Sequence, residues 1–263
     1  MLAASKTVPS SFKAYSSQSS WLRPVVATGN VIYRIERVAD GRAYATRVVR
    51  AFQSGSDPCA YVATVSFQNY DAPTGNVLNY GLSMPDLGDI RPDDISPGRA
   101  RNMVTTTISK SVPLTQRSSE KELPPFDWRP LELTLTDKPT QFVQQGFVRS
   151  PSLSTDSPAT CLAALGYLSD DYFMGPPMHA NPEAVGVGLR NVAMGASLNH
   201  NISFHDPTVK LDDWMVCQRN TTWGADGRVL SYQRFWGWAT GRLVMTCSQE
   251  ALIRLKDKAR SKL

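Results

Sequence analysis

Few residues of this sequence have the type and spacing that a familiar catalytic or metal site requires. His200 and His205 are five positions apart, which places them on opposite faces of a strand and favours structural roles over metal ligation. Ser83 and Ser197 each follow a glycine two positions earlier but lack the closing glycine of a Gly-x-Ser-x-Gly motif, which argues against an α/β-hydrolase. The two glycines of residues 186–188 lack the third glycine of a dinucleotide loop and are more typical of a turn.

The cysteines lie far apart and form no Cys-x-x-Cys pair. This spacing indicates neither a zinc knuckle nor a disulfide framework. We therefore expect reduced thiols in a cytosol-like compartment, no metal and no cofactor. The four cysteines are Cys59, Cys161, Cys217 and Cys247.

Composition indicates a folded chain that is long enough to bury a core. Of the 263 residues, 41% are hydrophobic and 19% are charged. The net charge of +5 suits a polyanionic partner, but lysines and arginines are scattered and no zinc finger or RRM signature is present, so we do not expect a nucleic acid. No apolar run approaches the ~18 residues of a membrane span, and the N-terminus lacks the pattern of a signal peptide.

The sequence ends in Ser261-Lys262-Leu263, preceded by a polar, charged stretch. A C-terminal S-K-L is an address that the peroxisomal import receptor reads. We expect residues 256–263 to be a targeting tail and the protein to be peroxisomal, although a solvated basic tail would have a similar composition.

Alternating apolar and polar residues predict strands in both halves of the chain. Residues 31–68 indicate an antiparallel meander with a hairpin turn at Asp40-Gly41. Residues 86–125, rich in proline, serine and threonine, indicate a linker with one short helix near 100–109. Ser157-Pro158 predicts the start of a buried apolar helix, and residues 195–206 and 214–249 indicate further strands.

The second meander repeats the first at a fixed offset. Asp40-Gly41-Arg42 recurs as Asp226-Gly227-Arg228 and Gly55 recurs as Gly241, both 186 positions further on, and each meander ends in a glutamine, Gln68 or Gln249. This duplication predicts two similar units, residues 1–85 and 126–263, joined by the linker 86–125.

Short elements along both halves carry a family resemblance. In the first half they are residues 33–37, 46–49 and 66–68; in the second they include S-L-N-H at 197–200 and Ser248-Gln249-Glu250. Together these elements resemble the acyl-CoA thioesterase II family over nearly the whole chain, most weakly in residues 86–125.

The resemblance implies an α+β double hot-dog fold, in which an antiparallel sheet wraps around a central helix in each unit. Residues 158–169 would form the helix of the second unit. Residues 2–6 resemble only the last turns of the first unit's helix, so we expect that unit to be truncated at its N-terminus.

The resemblance also implies an active site and a reaction. The Asp, Ser/Thr and Gln of the family fall on Asn199, Thr222 and Gln249, and we expect these three side chains to form one polar cluster. The implied reaction is hydrolysis of an acyl-CoA to a free carboxylic acid and CoA, in fatty-acid or specialised acyl metabolism. Because Asn199 replaces a carboxylate, we keep the alternative that the chain is a non-hydrolytic relative or subunit that binds an acyl thioester. We also keep a homo-oligomer as an alternative to a monomer.

Overall fold

A computed structural model of the chain describes residues 1–54, 58–98, 125–131, 136–151, 153, 155 and 157–257. In this part of the chain, ten strands form a single sheet in which all the neighbouring strands are antiparallel. The strands are β1 (Phe12–Trp21), β2 (Ile32–Asp40), β3 (Tyr44–Phe52), β4 (Tyr61–Asn69), β5 (Asp127–Pro130), β6 (Val143–Arg149), β7 (Val192–Phe204), β8 (Met215–Ala225), β9 (Arg228–Gly237) and β10 (Leu243–Leu255).

The strand order is β2-β3-β4-β1-β7-β10-β9-β8-β6-β5. The order is symmetric about the β1–β7 pair, because β4, β3 and β2 follow β1 outward just as β10, β9 and β8 follow β7. This arrangement confirms the predicted meander in residues 31–68 and its repeat in residues 214–249. It is the fold expected for a double hot-dog.

Local turn chemistry explains the second of the two repeated hairpins. Asp226 and Gly227 both have positive φ, 52° and 75°, between the paired residues Ala225 and Arg228. Two left-handed residues twist a two-residue turn in the same sense as its flanking strands, and Asp and Gly tolerate that conformation best.

Of the helices in the described ranges, all but one are short. They are α1 (Leu2–Ser5), α2 (Pro158–Asp170), α3 (Gly175–His179) and α4 (Pro182–Val185). Helix α2 begins as predicted, because the Ser157 side chain accepts a hydrogen bond from the backbone N–H of Thr160 and proline occupies the first turn. Short 3₁₀ turns occur at Pro92–Asp94, Pro139–Gln141 and Val187–Leu189.

Helix α2 packs against one face of the sheet, which we call the inner face. Leu162, Leu165 and Leu168 of the helix are fully buried in a core that also contains Phe67 from β4 and Phe235 from β9. Strands from both halves therefore share one hydrophobic core around α2. The single turn α1 contributes buried Ala4 to the same core.

Part of the segment expected to be a linker packs on the second half of the sheet. Leu87 and Ile95 contact the cluster of buried Phe147, Val216 and Trp236. Just before this segment, the Leu82 carbonyl accepts a hydrogen bond from the Trp236 indole N–H at 2.9 Å. The helix expected near residues 100–109 lies outside the described residues. The unit boundaries at 85 and 126 stay a prediction.

Candidate active site at the end of helix α2

A buried carboxylate–amide pair lies where α2 ends against the inner face of the sheet. The Gln249 side chain on β10 is fully buried, and its Nε2 donates to Asp170 Oδ1 at 2.6 Å. Burial raises the pKa of the Asp170 carboxyl above its ordinary value of 3.8, and the hydrogen bond from Gln249 partly offsets that rise. A partly desolvated carboxylate held in this way can act as a general base.

Three neighbouring strands hold the last turn of α2 in place. The Gln233 amide on β9 donates to the Ser169 backbone carbonyl, and His200 Nε2 on β7 lies 2.9 Å from Ser169 Oγ. With Gln249 on the strand between them, these contacts fix the helix end that presents Asp170. Because buried polar groups are costly without partners, these bonds also favour one register of helix on sheet.

His200 is neutral at physiological pH. Burial lowers its pKa from 6.5 to about 4, and its ring stacks on Trp21 with centroids 5.8 Å apart. The Ser169 hydroxyl donates to the Gly166 carbonyl at 2.9 Å, so the N–H in the His200–Ser169 contact belongs to His200 Nε2. This geometry gives His200 a positioning role beside Asp170.

The structure does not bring the three residues expected from the sequence into one site. Gln249 pairs with His200 in the sheet register and faces inward, whereas Asn199 pairs with Glu250 and faces the opposite side. There, Asn199 Nδ2 donates to Glu250 Oε2 at 2.9 Å, and Asn199 Oδ1 accepts from the Glu250 backbone N–H at 3.1 Å. The Asn199 amide is therefore engaged on the outer face.

Thr222 also lies away from the inner site. It is exposed and sits at a bulge between Thr221 and Trp223, where the β8–β9 register shifts by one residue. The neighbouring Thr221 is buried instead, and its hydroxyl donates to the Leu230 carbonyl at 2.9 Å. Of the expected cluster, only Gln249 lies in the inner site.

A second bulge brings Ser197 to the inner face. Glu250 pairs with Asn199 but Ala251 pairs with Ser197, so Leu198 is the extra residue in β7. Ser197 consequently shares a face with Ala251 and, through the alternation of β10, with Gln249. Sequence reasoning missed both Ser197 and Asp170; the available signal for Asp170 was a carboxylate at the end of an otherwise apolar helix.

Several polar atoms around this site have no hydrogen-bond partner among the described residues. They include Gln249 Oε1, Gln233 Oε1 and the Ser231 hydroxyl, all buried on the inner face. Gln249 therefore holds Asp170 through its nitrogen, and its carbonyl oxygen has capacity to accept a further hydrogen bond.

Within the described residues, no cluster of three His, Cys, Asp or Glu side chains has an arrangement that could hold a metal ion. His205 bonds Thr246 Oγ1 at 3.0 Å, and His179 bonds the Tyr172 hydroxyl at 3.1 Å, so each has a side-chain partner. None of the helices in the described ranges is both long and apolar enough to cross a membrane.

Two models of known protein families match most of the chain. The model of the acyl-CoA thioesterase C-terminal domain matches residues 97–253, and that of the acyl-CoA thioesterase N-terminal domain matches residues 1–68.

Among curated proteins, the chain is 26% identical to acyl-coenzyme A thioesterase 8 of Mus musculus, with 98% of this chain and 78% of that protein covered. It is 24% identical to acyl-CoA thioesterase 2 of Haemophilus influenzae, with 97% and 84% covered.

Solved structures show the same fold. An acyl-CoA thioesterase II, TesB2, from Mycobacterium marinum superposes with a TM-score of 0.75 at 22% identity, covering 97% of this chain and 86% of that one. A hot dog fold protein of unknown function from Alicyclobacillus acidocaldarius superposes with a TM-score of 0.61 at 13% identity, covering 92% and 79%.

Proposed function

Because the chain belongs to the acyl-CoA thioesterase II family, we propose that it hydrolyses acyl-CoA to a free carboxylic acid and CoA, with Asp170 as general base. The contact between the Asp170 carboxylate and the fully buried Gln249 amide carries this proposal. This contact joins a base of raised pKa to a neutral hydrogen-bonding group on the inner face.

In the proposed reaction, Asp170 takes a proton from a water molecule as the water oxygen attacks the thioester carbonyl carbon. Gln249 Nε2 fixes one carboxylate oxygen, and Gln249 Oε1 accepts a hydrogen bond from the second proton of the attacking water. The tetrahedral intermediate then collapses, the carbon–sulfur bond breaks, and Asp170 returns its proton to the CoA thiolate. The products are the carboxylic acid and CoA.

The oxyanion of the tetrahedral intermediate needs a hydrogen-bond donor. We assign Ser197 to this role, since the bulge at Leu198 turns it to the face that carries Gln249. Ser197 is half-buried, so this residue is partly shielded from bulk water.

The alternative of a non-hydrolytic relative rested on Asn199 in place of a carboxylate. In the structure the Asn199 amide is bonded to Glu250 on the outer face, and Asp170 supplies a carboxylate on the inner face. These contacts favour the hydrolase.

Release of free CoA thiol from a panel of saturated and branched acyl-CoAs, measured with a thiol reagent, tests the proposal. We expect turnover of at least one chain length by the wild-type protein. Tight acyl-CoA binding by calorimetry with no thiol release from any member of the panel would instead support the non-hydrolytic relative.

We also propose that the protein is imported into peroxisomes through Ser261-Lys262-Leu263, which lie outside the described residues. Relatives named acyl-coenzyme A thioesterase 8 support an acyl-CoA substrate but give no location. An N-terminal fluorescent fusion should be punctate and coincide with a peroxisomal marker. Deletion of the three residues should disperse the fluorescence, and puncta that persist would show another import route.

The homo-oligomer stays a prediction, and light scattering of the purified protein would test it.

A further inference from the structure

An arginine is buried on the inner face beside the candidate active site. Arg219 on β8 is 1% exposed, and its Nε, Nη1 and Nη2 have no hydrogen-bond partner among the described residues. A buried guanidinium without an anion is strongly destabilising, because its desolvation is not compensated. Arg219 therefore requires a partner that the described part of the chain does not provide.

The ring and strand neighbours of Arg219 in the described part of the chain are neutral. Its guanidinium lies over the Trp128 ring, 4.8 Å from the centroid, and its partners in the sheet register are Gln144 and Gln233. Burial raises the pKa of the nearby Cys217 and Cys247 thiols, the latter to about 12, and it outweighs the lowering by the Arg219 charge and by the contact of Arg219 with Cys217, so neither is a thiolate that could neutralise the charge. The cation–π contact stabilises the charge only in part.

Arg219 and the candidate active site belong to the same inner surface. Gln249 pairs with Ser231 on β9, Ser231 pairs with Thr221 on β8, and Arg219 follows two residues along β8 on the same face. Strand spacing puts the Cα atoms of Arg219 and Gln249 about 12 Å apart. An acyl chain whose carbonyl lies at Asp170 would thus bring a short or medium tail to the guanidinium.

We propose that Arg219 is a specificity-determining residue that binds a carboxylate at the far end of the acyl chain. The inference deepens the proposed function and rests on it: the preferred substrate is the mono-CoA thioester of a dicarboxylic acid. A carboxylate can take two parallel hydrogen bonds from a guanidinium, which matches the unpartnered nitrogens. A plain fatty acyl chain would leave the buried charge unpaired.

The phosphates of CoA are a different source of negative charge. The phosphate groups are bulky and carry several charges, whereas Arg219 is enclosed between Trp128 and buried side chains of the inner face. A single carboxylate therefore suits this enclosed position better than the phosphates do. Binding of a CoA phosphate would affect every CoA thioester alike, so a matched substrate pair separates the two sources.

The test compares adipoyl-CoA with hexanoyl-CoA, which differ only in the terminal carboxylate, in wild type, Arg219→Met and Arg219→Lys. We expect wild-type kcat/KM to favour adipoyl-CoA by about 10- to 100-fold, Arg219→Met to abolish or reverse that ratio, and Arg219→Lys to retain part of it. The ratio in wild type remains decisive if Arg219→Met fails to fold.

Hexanoyl-CoA hydrolysed as well as adipoyl-CoA would overturn the inference while the proposed function stands. Equal losses for both substrates in Arg219→Met would also overturn it and indicate a CoA phosphate or a structural role. If neither thioester is cut, the panel of saturated and branched acyl-CoAs decides whether the proposed function fails in its catalytic step. Calorimetry then decides the inference, because only a carboxylate site binds adipoyl-CoA more tightly than hexanoyl-CoA and loses that difference in Arg219→Met.

Discussion

Asp170 and Gln249 are 79 positions apart in the sequence, and their side chains meet at 2.6 Å between the end of α2 and the middle of β10. The contact depends on both elements, because the helix end is fixed by Ser169 and the strand by its pairing with β7 and β9. A carboxylate is thereby held half-buried against a neutral amide, which is the chemistry that the proposed hydrolysis requires.

Replacement of Gln249 by alanine should reduce both activity and stability. The substitution removes the donor to Asp170 and leaves a buried carboxylate oxygen unpaired, which costs about 1–3 kcal/mol. We expect kcat to fall by about 10- to 100-fold. Gln249→Glu is the matched control: it keeps the volume but introduces a second acid next to Asp170, and it should be at least as damaging to kcat at neutral pH. A wild-type kcat in both variants would exclude Gln249 from the site.

The pH dependence of hydrolysis should report the environment of Asp170. Since burial raises the pKa of this carboxyl above 3.8 and the base acts when deprotonated, kcat/KM should fall as the pH drops through that raised pKa. In Gln249→Ala the acid limb should move to higher pH, because the hydrogen bond that favours the charged form is lost. A rate that is flat down to the ordinary pKa of an aspartate would contradict the assignment.

Stability should fall on acidification because His200 is buried in its neutral form. Its folded pKa of about 4 lies below the ordinary 6.5, so the folded state binds fewer protons than the unfolded state between those values. The stabilisation is complete above pH 6.5 and is lost, at up to about 1.4 kcal/mol per pH unit, as the pH falls toward 4. Urea unfolding should show a shallower pH slope in His200→Gln than in wild type; an equal slope would mean that His200 is solvated.

Much of the fold follows from local patterns in the sequence. Alternation predicts the strands, Asp226-Gly227 fixes a hairpin, and Ser157-Pro158 begins the helix. These signals act over a few residues, so a single sequence carries them. The equal offset of 186 positions from Asp40 to Asp226 and from Gly55 to Gly241 also predicts the symmetric strand order.

The site could not be predicted in the same way, because bulges change which face a residue occupies. The extra residue Leu198 lets Ser197 and His200 both face inward and sends Asn199 outward, while the bulge at Thr221–Trp223 leaves Thr222 exposed. In a regular strand, where alternate side chains share a face, Ser197 and Asn199 would lie on the same face. The contact of Asp170 with Gln249 is a tertiary one that no local pattern reveals.

Hydrolysis by Asp170→Asn, measured beside Asn199→Asp, tests the central claim most directly. The amide introduced by Asp170→Asn keeps the shape of the side chain, and its oxygen can still accept the hydrogen bond from Gln249. Burial disfavours the charge that this substitution removes, so the thermal midpoint should be at or above that of wild type at neutral pH. We predict that Asp170→Asn lowers kcat by about 10²- to 10⁴-fold and that Asn199→Asp stays within about threefold of wild type. Near wild-type turnover in folded Asp170→Asn, or activity that appears only in Asn199→Asp, would contradict the account.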